Sequence, residues 1–343
     1  LNEEEKMLKK ILVVGGAGYV GSALVPKLLN LDYYVRVLDT FWFGEDVFND
    51  HLRINPDHCK LLLPLKGDIR DFNLKAFMGG MDVVIYLACI SNDPSFELNR
   101  DLGRSINYDA FLRVIDIAKA VKVKRFIFAS TSSVYGIKKE ANVTEELALE
   151  PITDYSKYKA FCEMELRMIS TDILPWVIIR PATVCGYAPR LRLDLTVNLL
   201  TMTALTKGKI IVFGGDQKRP NIHIDDMTDL YGQLIDEPDE KIIGKTFNAG
   251  GNNFSVMEIA LIVRKTVEKY KKQEVEIEVK PTNDLRSYHI SSEKIKRELD
   301  WTPQLNVSDA VYNLVRAFYV GRIPNPDDPK YYNIKTMQRL NVQ

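Results

Sequence analysis

The chain has 343 residues, and 46 Lys plus Arg offset 46 Asp plus Glu, so its formal charge is zero. That balance argues against a nucleic acid or an anionic membrane surface as partner. Apolar residues at 46% and charged residues at 27% fit a globular protein with a sizeable core. No apolar stretch reaches the ~18 residues of a bilayer span, and Leu1 to Lys10 lack the apolar run of a secretory leader. Cys59, Cys89, Cys162 and Cys185 match neither a metal spacing nor a CxxC pair. They are expected to be reduced, mostly buried thiols of a cytoplasmic protein that holds no metal.

In chain order, Lys10–Val14 reads as an apolar strand that runs into a glycine-rich turn and a helix over Ser22–Leu31. Strands follow at Tyr34–Leu38, Lys60–Pro64, Val83–Ala88, Arg125–Ser130 and Trp176–Ile179. Helical spacing lies between them, over Asp71–Met78, Ile106–Val121 and Tyr155–Ile169. Apolar strands alternating with amphipathic helices predict an α/β fold with a parallel sheet covered on both faces. Beyond 184 the pattern changes. Helices over Leu195–Lys207, Val256–Tyr270 and Ser291–Leu299 mix with strands at Ile210–Phe213 and Glu274–Val279, which predicts a smaller α/β lobe. The tail, Pro324–Gln343, is rich in Pro, Asn and Asp and reads as a surface wrap or a mobile end.

The turn after the first strand is Gly15-Gly16-Ala17-Gly18-Tyr19-Val20-Gly21. In a GxxGxxG turn the first glycine permits the bend and the second lets backbone approach a pyrophosphate. The third lets helix and strand pack closely, and the pyrophosphate rests on the helix N-terminus. Asp39 ends the second strand, where a carboxylate accepts both ribose hydroxyls of NAD and repels the 2′-phosphate of NADP. Strand, turn, helix and acid together predict a dinucleotide site in a Rossmann-type doubly wound sheet.

Tyr155 and Lys159 are four apart and share one helix face, with Thr153 or Asp154 as the N-cap. A free phenol, with a pKa of about 10, is a poor base at neutral pH; a nearby ammonium lowers that value. Such a tyrosine can take the proton from an alcohol while a hydride leaves. Lys157 and Tyr158 compete for the same reading. Ser130-Thr131-Ser132-Ser133 follows the fifth strand, at the sheet end that faces a ligand crevice.

With these motifs the chain resembles the extended short-chain dehydrogenases, and within them the nucleotide-sugar epimerase/dehydratase group, from about 15 to 320. The resemblance implies a nucleotide-diphosphate sugar as substrate, NAD as cofactor and chemistry at C4 of the sugar, by epimerisation or by net redox change. A non-catalytic NAD-sensing regulator is the alternative from another class. Thr131, Tyr155 and Lys159 match the family's catalytic set. Gly15, Gly18, Tyr19 and Val20 match its dinucleotide turn, and Asp68 and Ile69 its adenine-contacting segment. Leu87-Ala88-Cys89 matches its cofactor-lining run, Asn107 a helix residue that supports the active-site backbone, and Arg180 to Val184, with Pro181 and Val184, the segment flanking the nicotinamide. Arg219 matches the residue that binds the sugar nucleotide's diphosphate, with Ser91 and Asn198 further substrate contacts and His223 structural. Pro281 stands where 4-epimerases of the family carry an arginine, so Arg286 is expected to supply that charge. Ser132-Ser133 replace the Asp-Glu of the dehydratases, which points away from dehydration. The family's four-helix bundle implies a homodimer, to which Phe111, Val114, Phe161 and Met168 would contribute. The Rossmann-type domain then comprises 1–184 plus about 221–250, and the sugar-nucleotide lobe about 185–220 plus 251–325, before a tail at 326–343.

Overall fold

The computed structural model describes residues 8–282 and 287–342. Twelve strands occur among the described residues. They are Lys10–Val14 (β1), Tyr34–Asp39 (β2), Leu62–Lys66 (β3), Val83–Tyr86 (β4), Arg125–Ala129 (β5), Trp176–Pro181 (β6), Thr183–Cys185 (β7), Lys209–Phe213 (β8), Lys218–His223 (β9), Lys245–Ala249 (β10), Asn252–Ser255 (β11) and Glu276–Lys280 (β12). Seven form one parallel sheet in the order β10-β6-β5-β4-β1-β2-β3. Alternate residues feed opposite faces, as a pleated strand requires. Ile11, Val13, Val35, Val37 and Ile127 enter one core; Leu12, Val14, Leu38, Phe126 and Phe128 enter the other. Both faces are dry, which is why β1 and β4 read as unbroken apolar runs.

The order reverses direction between β1 and β4, and in such a sheet the crevice beyond the strand ends at that point receives the ligand. The other strands form β11-β9-β7 and the parallel pair β12-β8. Helices Thr196–Lys207, Val256–Lys271 and Val307–Tyr319 pack on one another beside them.

The structure moves several expected elements. β3 starts two residues late, because Pro56–Lys60 forms a tight 3-10 turn first. The expected helix over Asp71–Met78 shrinks to Leu74–Met78, since the Asn73 side chain caps it by accepting from the Ala76 N–H. The long helix near 106–121 opens with a π turn, Ser105–Asp109, and becomes α-helical at Ala110–Ala120. Phe111 and Val114 lie at 0% exposure inside the subunit core, so neither is available to a partner chain. Of the four free cysteines, Cys162 and Cys185 are buried, Cys89 is half-buried and Cys59 is exposed on that 3-10 turn, so only half are buried. The described part of the tail is partly helical and partly buried. Asn333–Leu340 is a helix whose Asn333, Thr336 and Met337 are buried. No helix among the described residues is long and apolar enough to cross a membrane.

Candidate active site

A cavity of about 480 Å³ opens beyond the carboxyl ends of β1, β4, β5 and β6. Its floor is the glycine turn. Gly15 has φ +82°, and a Cβ there would come within 2.5 Å of the Ala88 nitrogen. A Cβ on Gly21 would meet the Gly16 backbone at the same distance. Only glycine lets the turn, the helix and β4 approach this closely. Gly18 caps helix Tyr19–Asn30 without a side-chain hydrogen bond, and Gly18, Tyr19 and Val20 line the cavity. The first-turn N–H groups have no intrahelical acceptors, so this end suits an anion. Asp39 ends β2 beside them. Its carboxylate accepts the Ala17 and Phe41 N–H groups, each at 2.9 Å. Burial raises its pKa, while those N–H groups and Arg190 oppose the shift.

Asp68 and Ile69 line the same end. Asp68 is paired with Arg70 at 2.8 Å, and Arg113 holds the segment by donating to the Ile69 and Arg70 carbonyls at 2.8 and 2.7 Å. Leu87, Ala88, Pro181 and Val184 line the middle. Asn107 does not reach the cavity. Its amide donates to the Ile90 carbonyl at 3.0 Å and its oxygen accepts the Ile90 N–H at 2.7 Å, so it braces the lining from behind. The π turn that carries it lets the amide project toward Ile90.

Thr131, Tyr155 and Lys159 converge at the inner end. Helix Asp154–Arg167 starts at a capping box on Thr153, whose hydroxyl also donates to Asp93 at 2.6 Å. Burial holds the Tyr155 phenol well above its usual pKa; Cys89 and Asp93 add to the rise, and Arg192 and the Thr131 hydroxyl oppose it. Lys159 donates to the Ala129 carbonyl at 2.7 Å and lies 4.9 Å over the Phe128 ring. The expected lowering of the phenol pKa is therefore reversed by burial in the chain alone. Tyr158 stacks on Phe96 at 5.6 Å and does not line the cavity, whereas Tyr155 does.

Behind this group lies a buried network. Glu163, one turn past Lys159, pairs with Arg180 at 2.6 Å and accepts from Ser130 at 2.5 Å. Arg180 also donates to the Tyr135 hydroxyl at 2.7 Å, which donates to Asn248 at 2.7 Å.

At the outer end, Arg219 lies 5.7 Å over the Tyr288 ring, and both line the cavity. Arg286 lies outside the described residues. Asn198 corrects an expectation. It is fully buried and does not line the cavity; its amide binds the Gly186 backbone, the Arg192 carbonyl and the Tyr19 hydroxyl, so it shapes the loop after β7. Ser91 lines the cavity and accepts from Arg192 at 2.9 Å. His223 is 1% exposed, accepts the Asp225 N–H at 3.1 Å and caps helix Ile224–Asp236. Sequence reasoning missed Asp93, Arg190, Arg192, Asp194 and Asn333 as lining residues. The Arg-Leu-Arg-Leu-Asp run was the one available signal, two basic residues and an acid just past a strand.

A glycine cradle with an acid at the next strand end, opening onto a Tyr–Lys pair and a strand-end hydroxyl, defines an extended short-chain dehydrogenase/reductase. The chain belongs to the NAD dependent epimerase/dehydratase family, which it matches over residues 11–250. It is an NAD-dependent enzyme of that family, and the cradle, Asp39 and the uncapped helix end fit the cofactor. The chain is 31% identical over 265 residues to an uncharacterised UDP-glucose epimerase of Bacillus subtilis, covering 74% of this chain and 81% of that protein. It is 28% identical to UDP-glucuronic acid decarboxylase 1 of Arabidopsis thaliana, covering 94% of this chain and 72% of that one. Among solved structures it resembles UDP-glucuronic acid 4-epimerase from Bacillus cereus in complex with UDP-glucuronic acid and NAD. The TM-score is 0.77 at 25% identity, over 90% of this chain and 99% of that one.

Proposed function

We propose that this enzyme acts at C4 of a nucleotide-diphosphate sugar, removing hydrogen from one carbinol centre and returning it by epimerisation or yielding a net oxidation. One observation carries the reading. Thr131, Tyr155 and Lys159 share one cavity with Arg219 and Tyr288. Bound NAD supplies the hydride acceptor. Tyr155 Oη takes the proton of the sugar hydroxyl, and Thr131 Oγ1 hydrogen-bonds the same oxygen. The Lys159 ammonium favours the phenolate that results. Arg219 presents a planar guanidinium that suits diphosphate oxygens, in a lobe comprising about 185–220 plus 251–325. The Bacillus cereus structure, which holds a UDP-sugar, supports that substrate class.

The cavity's carboxylates are already engaged. Asp39 accepts backbone N–H groups, Asp68 binds Arg70, Asp93 accepts from Thr153, and Asp194 binds Arg192. None stands ready to pull a proton from a carbon next to the ketone. Incubating the enzyme with a panel of UDP- and dTDP-sugars in deuterated water, read by NMR, tests the reading. We expect change at C4 and no new C–D bond at C3 or C5. Deuterium entering either carbon at the rate of turnover would assign a dehydrating or 3,5-epimerising reaction instead.

The same reading includes a homodimer in the cytoplasm. Phe161, Met164 and Met168 on helix Asp154–Arg167 and its C-cap are 44%, 56% and 82% exposed. A run of large apolar side chains on one helix face is a surface that a second copy would cover. Light scattering at micromolar concentration should give twice the monomer mass. Met164→Glu combined with Met168→Glu should give the monomer. A monomeric unmodified protein refutes the dimer.

A further inference from the structure

The loop after β7 brings a second guanidinium to the cofactor end of the cavity. Arg190 is 4% exposed, and among the described residues its Nε and Nη1 have no hydrogen-bond partner. Its Nη2 donates to Asn333 Oδ1, and the Asn333 amide reaches the Ser91 carbonyl and hydroxyl at 3.3 and 3.2 Å. The Asn333 N–H in turn donates to Asp194 at 3.2 Å. The guanidinium carbon lies over the Phe43 ring, 3.8 Å from its centroid. Its own backbone N–H donates to Ser22 Oγ at 3.1 Å, in the first turn of helix Tyr19–Asn30.

A buried fork with two idle nitrogens is costly, because each lost hydrogen bond to a charged group leaves its desolvation unopposed. Burial and the neighbouring Arg192 push the Arg190 pKa down to about 9, against the pull of Asp194 and Asp39. The local carboxylates do not use the idle nitrogens, since Asp39 binds backbone and Asp194 binds Arg192. An anion at the uncapped helix end would satisfy both at once.

We infer that Arg190 clamps the diphosphate of the bound dinucleotide beside the glycine turn, and that Asn333 of the C-terminal helix holds the clamp in place. The tail is then a wall of the cofactor site. Arg190 is a binding residue, and Asn333 is a positioning residue that acts through it. The inference rests on the assignment of NAD to this cavity.

Calorimetry of the full chain with NAD, ADP, adenosine and UDP separates the outcomes. Arg190→Met should weaken NAD and ADP roughly 10- to 100-fold, the range for hydrogen bonds to a charged group, and leave adenosine and UDP within twofold. Asn333→Ala should give a smaller loss in the same ligand order, and Arg190→Met with Asn333→Ala should be no worse than Arg190→Met alone. Arg190→Lys, which keeps the charge and loses the fork, should fall between the unmodified protein and Arg190→Met, and it serves as the test if Arg190→Met does not fold. Equal losses for adenosine and ADP, a loss confined to UDP, or unchanged ADP binding in both Arg190 variants overturns the clamp and leaves NAD in place. Failure of the unmodified protein to bind NAD or ADP overturns both readings.

Discussion

Tyr155→Phe is expected to cut turnover on the preferred sugar nucleotide by about two to four powers of ten, the span general acid–base groups supply. The substitution removes one oxygen from a ring that otherwise stays packed beside Thr131, so the fold and NAD affinity should persist. Tyr158→Phe is the matched control. Its ring belongs to an aromatic group with Phe96, Tyr108 and Phe161 at 5.6, 5.8 and 5.9 Å, away from the cavity. Its loss of a hydroxyl should change turnover less than threefold. Because burial holds the Tyr155 phenol protonated, the chain alone does not make it a base at neutral pH. The fall in pKa must come from charge brought in at the site. Oxidation of the sugar should therefore speed up as pH rises from neutrality in the unmodified enzyme, and Tyr155→Phe should flatten that profile. Equal losses in the two variants would show that the proton moves through another group.

The sheet was readable because its central strands are short unbroken apolar runs set between stretches of helical spacing. β1 and β4 are apolar at nearly every position, since both faces are covered, and the glycines at 15 and 21 are demanded by close backbone approach. Tyr155, Lys159 and Thr131 were readable because local rules place them, a four-residue helical offset and a strand end. The outer half of the site was not. Arg190, Arg192 and Asp194 meet the cavity only after the loop beyond β7 is folded back by Asn198, whose partners lie up to 179 positions away. Asn333 bonds to Ser91 across 242 positions, and no periodicity records such a contact. Asn198 itself looked like a ligand contact because its residue type suits one; the structure spends its amide on backbone instead. The tail misled through composition. Pro324 to Asp328 is turn-like, but Asn333–Leu340 is a helix set by what it packs against.

Arg180→Met should destabilise the protein by about 3–5 kcal/mol, the cost of leaving a buried charge without its partner. Glu163 is 0% exposed, and Arg180 meets both of its oxygens, with Nε at 3.0 Å from Oε1 and Nη2 at 2.6 Å from Oε2. The remaining cation, Arg167, stands at 3.7 Å and is 43% exposed, too distant to replace a bidentate pair. Glu163→Gln combined with Arg180→Met removes both charges and should recover a large part of the loss, because only the unpaired ion carries the full desolvation cost. Urea unfolding with NAD and protein concentration held constant measures both variants, since bound cofactor and partner would otherwise shift the midpoint. The pair also has a part in geometry. Glu163 holds Ser130, next to Thr131, and sits one turn past Lys159, while Arg180 adjoins Pro181 at the end of β6. The double variant should therefore fold yet turn over more slowly than its stability implies, with NAD affinity nearly unchanged, because the new amide at position 163 can still accept from Ser130 but no longer ties that strand end to β6 through the Arg180 fork. A double variant as active as the unmodified enzyme would reduce the network to a stabilising role. A single variant that unfolds at the unmodified midpoint would show that Arg167 or solvent meets Glu163 as well as Arg180 does.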